Sequence, residues 1–241
     1  MVNVREIISK ALEENRSKLL EHEAYAILEA YNIPAPKYGI AKTADEAVEI
    51  AEKIGYPVVL KIVSPDIVHK SDVGGVILNL NSKDEVRKAF NQIIENVKKN
   101  APKARIAGIL VQQMVPQDVE VIVGATRDPI FGPVVMFGLG GVFVEVLKDV
   151  SFRVVPLTRR DAEEMIIEIK ARKILEGYRH IKPRDKEAIV NIILGVSKIM
   201  EENPEIAELD LNPIMVFPVG QGATVADVRI IVKKPKEEHQ A

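Results

Sequence analysis

The sequence of 241 residues contains no cysteine and no tryptophan, and aromatic residues make up only 5% of it. Without cysteine there is no disulfide, no thiolate nucleophile and no cysteine-ligated zinc or iron–sulfur site. Basic residues are not in excess either, since 33 Lys and Arg stand against 35 Asp and Glu, a net charge of -2. That balance, without a basic segment interleaved with aromatic residues, argues against nucleic acid as the main partner.

Long apolar runs are also missing. No run approaches the roughly 20 residues that are needed to cross a bilayer, and the segment from Met1 to Glu6 becomes charged too early for a signal peptide. We therefore expect a cytoplasmic protein that does not bind a membrane. Abundant Lys and Glu without Cys or Trp are typical of proteins from thermophiles.

What the chain does contain is the composition of a folded protein, with 47% hydrophobic and 28% charged residues. The first half predicts the order α, β, α, β, β, α, with helix-capping residues at Asn3, Thr43 and Ser82. From Ile106 onward strands dominate, apart from two predicted helices after Thr158 and Arg184. These patterns predict an α+β fold of two lobes that meet near Ala107, with a ligand in the cleft between them.

One strand–loop–strand stretch carries much of the chemistry. Lys61 lies inside an apolar run, and the loop that follows contains His69 and ends in Gly74-Gly75 before a second apolar run. An ammonium group beside a flexible glycine pair suits a polyphosphate, because the glycines let backbone amides approach it closely. Histidine beside such a site is able to receive a phosphoryl group. The alternative is an edge-strand charge followed by an ordinary turn.

A second stretch, Glu208 to Pro213, supplies oxygen ligands. Residues two apart in a strand face the same side, so Asp210 and Asn212 point one way. Asp227, on the next strand, is expected to return opposite Asn212. Such hard oxygen ligands suit Mg²⁺, which usually takes one or two protein groups plus substrate phosphates. The alternative is that Asn212-Pro213 only forms a turn and that the aspartate lies at the surface with its hydrogen bonds satisfied.

These pieces occur in the order that the ATP-grasp fold uses, with the strand Ile109 to Val115, leading to Glu120, between them. The chain resembles an ATP-grasp nucleotide-binding unit from about Leu19 to Val232. More narrowly, it resembles the beta subunit of ADP-forming acetyl-CoA synthetase, a relative of succinyl-CoA synthetase. Ser64 to Val76 looks like the phosphohistidine loop of that family, and Glu208 to Pro213 looks like its acidic-Asn-Pro segment.

The resemblance implies a domain division and nucleotide contacts. Residues 1–18 would form an N-terminal helical extension, residues 19–107 the first ATP-grasp lobe and residues 108–241 the second. Lys61 would contact the nucleotide phosphates, and the Gly74-Gly75 loop would cover them. The hinge beside adenine, whose backbone groups would read the adenine edge, would consist of Gln112, Gln113, Met114 and Val115. The sequence departs from the family at Gln112, where relatives often have glutamate.

The resemblance also implies the remaining site residues and the cofactors, ATP or ADP and Mg²⁺. Glu120 would reach the ribose, and Asn212 and Asp227 match the magnesium ligands. Asp210 occupies an acidic position that orients a histidine or its phosphorylated form. His69 would be the phosphohistidine.

The family reaction converts acyl-CoA, ADP and phosphate reversibly to carboxylate, ATP and CoA. A separate alpha subunit would bind CoA, make the acyl phosphate and carry the first phosphohistidine, in an expected alpha2beta2 assembly. His69 would take the phosphoryl group and deliver it to ADP, since neutral imidazole is a competent nucleophile near its reference pKa of about 6.5. This chain shows no Rossmann glycine fingerprint after an N-terminal strand, so the CoA chemistry would come from the partner.

Two other functions remain open from the sequence. A stand-alone ATP-grasp ligase would activate a carboxylate without a partner and would not need His69. A nucleotide-sensing or structural subunit would bind ATP without turnover. The sequence does not determine the acyl substrate, the choice of ADP or GDP, the direction of the reaction or the number of subunits.

Overall fold

The structure is a computed structural model, and it describes residues 3–67, 69–141, 148–179 and 181–233. The helices are α1 (Val4–Glu13), α2 (Glu21–Ala30), α3 (Ala44–Ile54), α4 (Lys83–Asn100), α5 (Arg159–Glu168), α6 (Lys173–Glu176) and α7 (Lys186–Glu202). The strands are β1 (Tyr38–Ala41), β2 (Val58–Val63), β3 (Val76–Leu80), β4 (Gly108–Gln113), β5 (Val119–Asp128), β6 (Gly132–Leu139), β7 (Val150–Val154), β8 (Ile206–Val216), β9 (Ala223–Val225) and β10 (Val228–Val232). The predicted α+β class is confirmed.

Helix starts follow the local chemistry of the sequence. The side chains of Asn3, Thr43 and Ser82 each accept a hydrogen bond from the backbone N–H three residues later, as predicted. The spacing Thr43–Glu46 and Ser82–Glu85 predicts two capping boxes, in which the glutamate would accept from the N–H of the cap residue. Both glutamates instead accept from the N–H of the residue before the cap. Ser17 also predicts a helix start, but the second helix begins at Glu21.

The smaller compact unit contains an antiparallel sheet with strand order β1-β4-β2-β3. Its core joins buried residues of the sheet to α3 and α4, which pack together. Both Val58 and Ile62 are fully buried there, and Val86 and Ile93 of α4 complete the same cluster. The apolar spacing of α4 thus places one face on the sheet.

The larger compact unit contains an antiparallel sheet with strand order β10-β8-β5-β6-β7, and β9 pairs with β8. Helix α7 packs against β5 and β6, and α5 packs against β7 and α7. The sequence pattern predicts separate strands at Ile206 to Leu211 and at Ile214 to Phe217, but the structure has one continuous strand, β8. Conversely, the pattern predicts a single strand from Thr224 to Val232, which the structure divides at residues 226 and 227.

The two units do not follow the chain in simple halves. The smaller unit comprises Leu20–Glu23 and Pro36–Val115, and the larger comprises Met1–Leu19, Ala24–Ala35 and Pro116–Ala241. Strand β4 belongs to the smaller sheet because it pairs with β1 on one side and β2 on the other. The smaller unit therefore extends beyond residue 107, where the resemblance ended the first lobe.

Backbone groups hold half-buried Arg127 and buried Asp185 of the larger unit. The guanidinium of Arg127 donates to the carbonyl oxygens of Ile206, Asn203 and Met200 at 2.8, 2.8 and 2.5 Å. The carboxylate of Asp185 accepts from the N–H groups of Ala188, Gly220 and Gly222 at 3.1, 2.9 and 3.0 Å. These bonds fix the end of α7 and its start, respectively. No helix within the described ranges is long and apolar enough to cross a membrane.

Candidate functional site

Lys61 lies on an inner strand of the smaller sheet. Its Cα is opposite Val76 of β3 and Leu110 of β4, and every residue of β2 is buried. Lys61 itself is only 8% exposed, and its ammonium donates to Glu21 at 2.7 Å. The edge-strand alternative is therefore wrong, because β2 has a partner strand on each side.

Glu21 joins Lys61 to the histidine loop. It is the first residue of α2 and is 6% exposed. Its second carboxylate oxygen accepts a hydrogen bond from the ammonium of Lys70, the residue that follows His69. The Lys70 side chain is 18% exposed and that of Glu21 only 3%. One buried carboxylate thus binds two ammonium groups, one from a strand and one from the loop.

The loop that carries His69 is attached on both sides of the histidine. Ile67 is buried in the core of the smaller unit, whereas His69 is exposed. Earlier in the loop, Asp66 accepts hydrogen bonds from the backbone N–H, Nε and Nη2 of Arg105 at 2.7, 3.0 and 2.8 Å. The bonds from the Arg105 side chain and backbone lower the pKa of Asp66 to about 2. The imidazole is therefore presented to solvent between attached residues.

The glycine pair is required by the loop itself. Gly74 has a left-handed φ of +66° after the short turn Ser71–Val73, and a Cβ there would lie 2.6 Å from the Asn96 side chain. A Cβ on Gly75 would lie 2.4 Å from Ile62. The Gly75 carbonyl accepts from the Ile62 N–H at 2.7 Å. Close backbone approach explains both glycines, and their contact with phosphate stays a prediction.

In the predicted hinge, Gln112 to Val115, two backbone N–H groups already donate hydrogen bonds to other parts of the chain. The N–H groups of Gln113 and Met114 donate to the carbonyls of Lys37 and Pro57 at 2.8 and 3.0 Å. Gln112 is 2% exposed. The predicted reading of adenine must therefore use groups of this segment other than those two N–H donors.

Asp210, Asn212 and Asp227 come together in the larger unit. Leu209 and Leu211 of β8 are buried, and the alternation puts Asp210 and Asn212 on the opposite face, half-buried and exposed respectively. The Asn212 N–H donates to the Asp227 carbonyl at 3.2 Å. The predicted position of Asp227 beside Asn212 is thus confirmed, while the role of both residues in binding metal stays a prediction.

Asp210 has charged neighbours of both signs. Burial raises its pKa, the charge of Arg229 lowers it, and the smaller effects of Asp227 and Glu208 raise it, so that the net direction is upward. Arg229 is paired with Asp210 in the register of β10 and β8. A neighbouring cation would relieve this crowding of carboxylates.

The oxygen groups of Asn212, Asp227 and Asp210 fit a Mg²⁺ ion chemically, because Mg²⁺ prefers a few hard oxygen ligands and completes its shell with water and phosphate. Among the described residues, no group of three or more His, Cys, Asp or Glu has the arrangement of a metal site. An all-protein metal cage is thus not formed by this part of the chain. The predicted site would rely on phosphate oxygens.

Glu120, the predicted ribose ligand, lies on β5 in the register opposite Met215. The Gly140 N–H donates to the Glu120 carbonyl at 2.8 Å, and a Cβ on Gly140 would lie 2.8 Å from the Glu120 Cβ. The glycine-rich segment from Gly138 to Gly141 therefore runs directly beside Glu120. Its glycine at position 140 is required by this close approach.

The predicted residues thus form two groups. Lys61, His69 and the Gly74-Gly75 pair belong to the smaller unit, and Glu120, Asp210, Asn212 and Asp227 belong to the larger. Sequence reasoning missed Glu21, whose partner Lys61 is 40 residues away. Its only signal is an acidic residue at a helix start, which most helices share.

Comparison with known families gives one matching model, described as an ATP-grasp domain, over residues 10–232. The chain is 50% identical over 228 residues to acetate–CoA ligase [ADP-forming] II subunit beta of Pyrococcus furiosus, covering 94% of this chain and 97% of that protein. It is 55% identical over 227 residues to acetate–CoA ligase [ADP-forming] I of Archaeoglobus fulgidus, covering 94% of this chain but only 33% of that protein.

Solved structures give a similar result. The dinucleotide-forming acetyl-coenzyme A synthetase 1 of Ca. Korarchaeum cryptofilum, in complex with coenzyme A, Ca-AMPCP and HgCl⁺, aligns with a TM-score of 0.92 and 55% identity over 96% of this chain and 100% of that chain. Its complex with coenzyme A and Mg-AMPPCP aligns with a TM-score of 0.84 and 51% identity over 96% and 100%. In the latter the phosphohistidine segment points towards the nucleotide binding site.

Proposed function

This chain belongs to the ATP-grasp domain family and, within it, to the beta subunits of ADP-forming acetate–CoA ligases, and we propose that it transfers a phosphoryl group through His69 to ADP. The overall reaction is the reversible conversion of acyl-CoA, ADP and phosphate to carboxylate, ATP and CoA. The observation that carries this proposal is the exposed His69, on a loop attached by Ile67 and Lys70 and linked through Glu21 to Lys61.

Phosphoryl transfer takes place in two displacements. An N–P bond forms on the His69 imidazole as the N–P bond to a histidine of the alpha subunit breaks. A terminal phosphate oxygen of ADP then attacks the same phosphorus, an O–P bond forms, and the imidazole leaves. Dividing the transfer in this way replaces one difficult step with two easier ones.

The smaller unit supplies the groups that act on phosphate. Lys61 provides a positive charge for the phosphate oxygens, because its backbone is fixed on an inner strand and its flexible stem lets the ammonium reach them. The Gly74-Gly75 backbone approaches the same oxygens. Gln112 to Val115 contact the adenine through groups other than the two engaged N–H donors.

The larger unit supplies the remaining contacts. Glu120 binds the ribose, Asp210 orients a histidine or its phosphorylated form, and the oxygens of Asn212 and Asp227 would hold Mg²⁺. When bound between these oxygens and the substrate phosphates, Mg²⁺ would supply positive charge against the charge that develops on the transferring phosphate. Support for this metal comes from the hard oxygen ligands on the exposed face of β8 and from the Mg-AMPPCP complex of the similar synthetase.

A partner alpha subunit completes the enzyme in this proposal. The P. furiosus relative is itself a beta subunit, whereas this chain spans about a third of the A. fulgidus relative. We propose that the CoA and acyl-phosphate chemistry lies in the alpha chain, in an alpha2beta2 assembly in the cytoplasm of a thermophile. The stand-alone ligase and the nucleotide sensor are not favoured, because close relatives are subunits or larger forms of acyl-CoA ligases.

The test is labelling with γ-³²P-ATP and Mg²⁺, with and without the alpha partner. Wild-type protein is expected to acquire an acid-labile, base-stable label, which His69→Ala abolishes. The matched control is His239→Ala, which removes a histidine that has no predicted role and retains the label. A wild-type protein that binds ATP but stays unlabelled with its partner present would overturn the proposed function.

A further inference from the structure

We infer that Glu21 is a positioning residue that couples the Lys61 phosphate site to the position of the His69 loop, an inference that rests on the proposed function. Its carboxylate contacts both ammonium groups: Lys61 at 2.7 Å and Lys70 through its other oxygen. All three residues belong to the smaller unit. The three come from a helix start, an inner strand and a loop, so the contact is a tertiary link.

Burial makes this link strong enough to transmit an effect. The Glu21 side chain is 3% exposed and the Lys61 side chain 10%. A carboxylate shielded from water in this way depends on its ammonium partners, because an uncompensated buried charge is costly. If one ammonium is drawn away, the carboxylate interacts more strongly with the other.

The coupling follows from that competition. Nucleotide phosphates that attract Lys61 leave Glu21 to hold Lys70, which keeps the residue next to His69 in place. Conversely, when Lys70 leaves with the loop, Glu21 holds Lys61 more strongly and competes with the phosphates for it. By linkage the two effects are equal in free energy. A nucleotide therefore binds more tightly when the His69 loop is in the position seen here, and is released more readily once Lys70 departs.

The loop geometry restricts the effect to a short segment. Asp66 is bound to Arg105 before the histidine, and the carbonyl of Gly74 accepts from the Asn96 side chain at 2.9 Å after it. Lys70 lies between these two attachments and next to His69. Loss of its contact with Glu21 is therefore felt first at His69.

The experiment combines four forms of the full chain: wild type, Glu21→Gln, Lys70→Met and the double variant. Controls are Glu29→Gln, an exposed carboxylate on the same helix, and Lys42→Met, an exposed lysine of the smaller unit. The first measurement is amide hydrogen exchange of Gly74 and Gly75 without nucleotide, because their N–H groups donate to the carbonyls of Ser71 and Lys70 at 3.0 and 2.8 Å. Glu21→Gln is expected to accelerate it at least tenfold, and Glu29→Gln to leave it unchanged.

The second measurement is the Kd for Mg-AMPPCP, which requires no phosphoryl transfer. Lys70→Met is expected to weaken binding about fivefold when Glu21 is present, and by less than about 1.5-fold when it is added to the Glu21→Gln variant. Lys42→Met has no effect in either background. If the contact between Lys70 and Glu21 were purely structural, the effect of Lys70→Met on the Kd would not depend on whether Glu21 is present.

Two results would overturn the inference: unchanged exchange in Glu21→Gln, or the same factor for Lys70→Met in both backgrounds. If Glu21→Gln does not fold, Glu21→Asp replaces it, since retraction by one methylene reduces the coupling in the same direction. If the four forms give the expected Kd values but labelling detects no phosphohistidine, only the proposed function is refuted. Failure of wild type to bind the analogue refutes both.

Discussion

Charged side chains are satisfied by different kinds of partner at two places, one in each compact unit. In the larger unit half-buried Arg127 bonds to three carbonyls, and buried Asp185 and Asp149 bond to three and two backbone N–H groups, although Arg184 and Arg16 of the same unit pair with side-chain carboxylates. In the smaller unit the buried charges of Glu21 and Lys61 contact each other, and Lys70 shares the same carboxylate.

The difference separates structural charges from exchangeable ones. A backbone partner is fixed by the fold, so a ligand can replace it only by unfolding the segment. An ammonium on a flexible stem can leave a carboxylate for a phosphate at modest cost, because one charge-assisted hydrogen bond replaces another. Side-chain pairs among buried charges are therefore the places where ligand binding can change the structure.

The largest expected effect tests the exchangeable charge. Lys61→Met should weaken ATP binding about 100-fold, which is the loss of one charge-assisted contact to phosphate. The free energy of unfolding should fall by less than about 1 kcal/mol, because Lys70 still neutralises Glu21. Calorimetric titration and urea unfolding check the two values. Comparable losses in both would contradict the assignment of Lys61 as an exchangeable charge.

The matching test for a structural charge is Asp185→Ala. It should lower the free energy of unfolding by about 2 kcal/mol, because it removes the α7 cap and the shared acceptor of three backbone N–H groups. ATP affinity of the folded protein should change by less than about twofold. Urea unfolding measures the loss, and the control is Asp128→Ala, whose carboxylate also accepts backbone N–H groups but lies at an exposed turn.

The same variant has a defined pH dependence. Burial opposes ionisation of Asp185, yet the N–H groups of Gly222, Ala188 and Gly220 lower its pKa below the ordinary value. Its contribution to stability is therefore complete above the ordinary Asp pKa of about 3.9 and is lost as the pH falls through the folded value. The deficit of Asp185→Ala should stay constant from about pH 8 to 5 and shrink below about pH 4. A constant deficit down to about pH 2 would contradict this account.

Asp227→Asn examines the predicted magnesium site of the larger unit, in which Asn212 and Asp227 are the expected protein ligands. The variant should raise the Mg²⁺ concentration needed for half-maximal ATP binding about tenfold, because a neutral amide is a weaker ligand than a carboxylate. ATP titrations at several Mg²⁺ concentrations give the value. The control is Glu208→Gln, which removes one negative charge from the same cluster at a residue that is not a predicted metal ligand. Equal shifts in both variants would indicate a general charge effect.

The smallest effect is expected at the exposed end of the His69 loop. Asp66→Asn removes the ion pair with Arg105 but should lower the Tm by no more than about 2 °C, since exposed pairs are screened by solvent. The pKa of Asp66 is lowered to about 2, so the difference should be complete above about pH 4 and disappear as the pH falls through about 2. Thermal unfolding followed by circular dichroism checks both. If Asp66→Asn lowered the Tm more than Asp185→Ala does, the exposed ion pair would matter more for stability than the buried carboxylate, which contradicts this account.

Much of the fold was accessible from local sequence. The caps at Asn3, Thr43 and Ser82 are confirmed because a short polar side chain reaches the N–H three residues later whatever lies around it. Alternation along β8 likewise predicted that Asp210 and Asn212 share a face. The strand ends were less accessible: β8 is continuous through Asn212-Pro213, because pairing with β5 resumes on the far side of an irregularity.

For the candidate site, the sequence by itself determined which residues have the chemistry for phosphate, metal and phosphoryl transfer, because residue types and short spacings are local properties. Only the tertiary structure decided that Lys61 is buried on an inner strand, that the N–H groups of Gln113 and Met114 are already bonded, and that Glu21 joins Lys61 to Lys70. The physical reason is that a side chain selects its partner by where packing places it, and residues 40 apart in the chain share no local pattern.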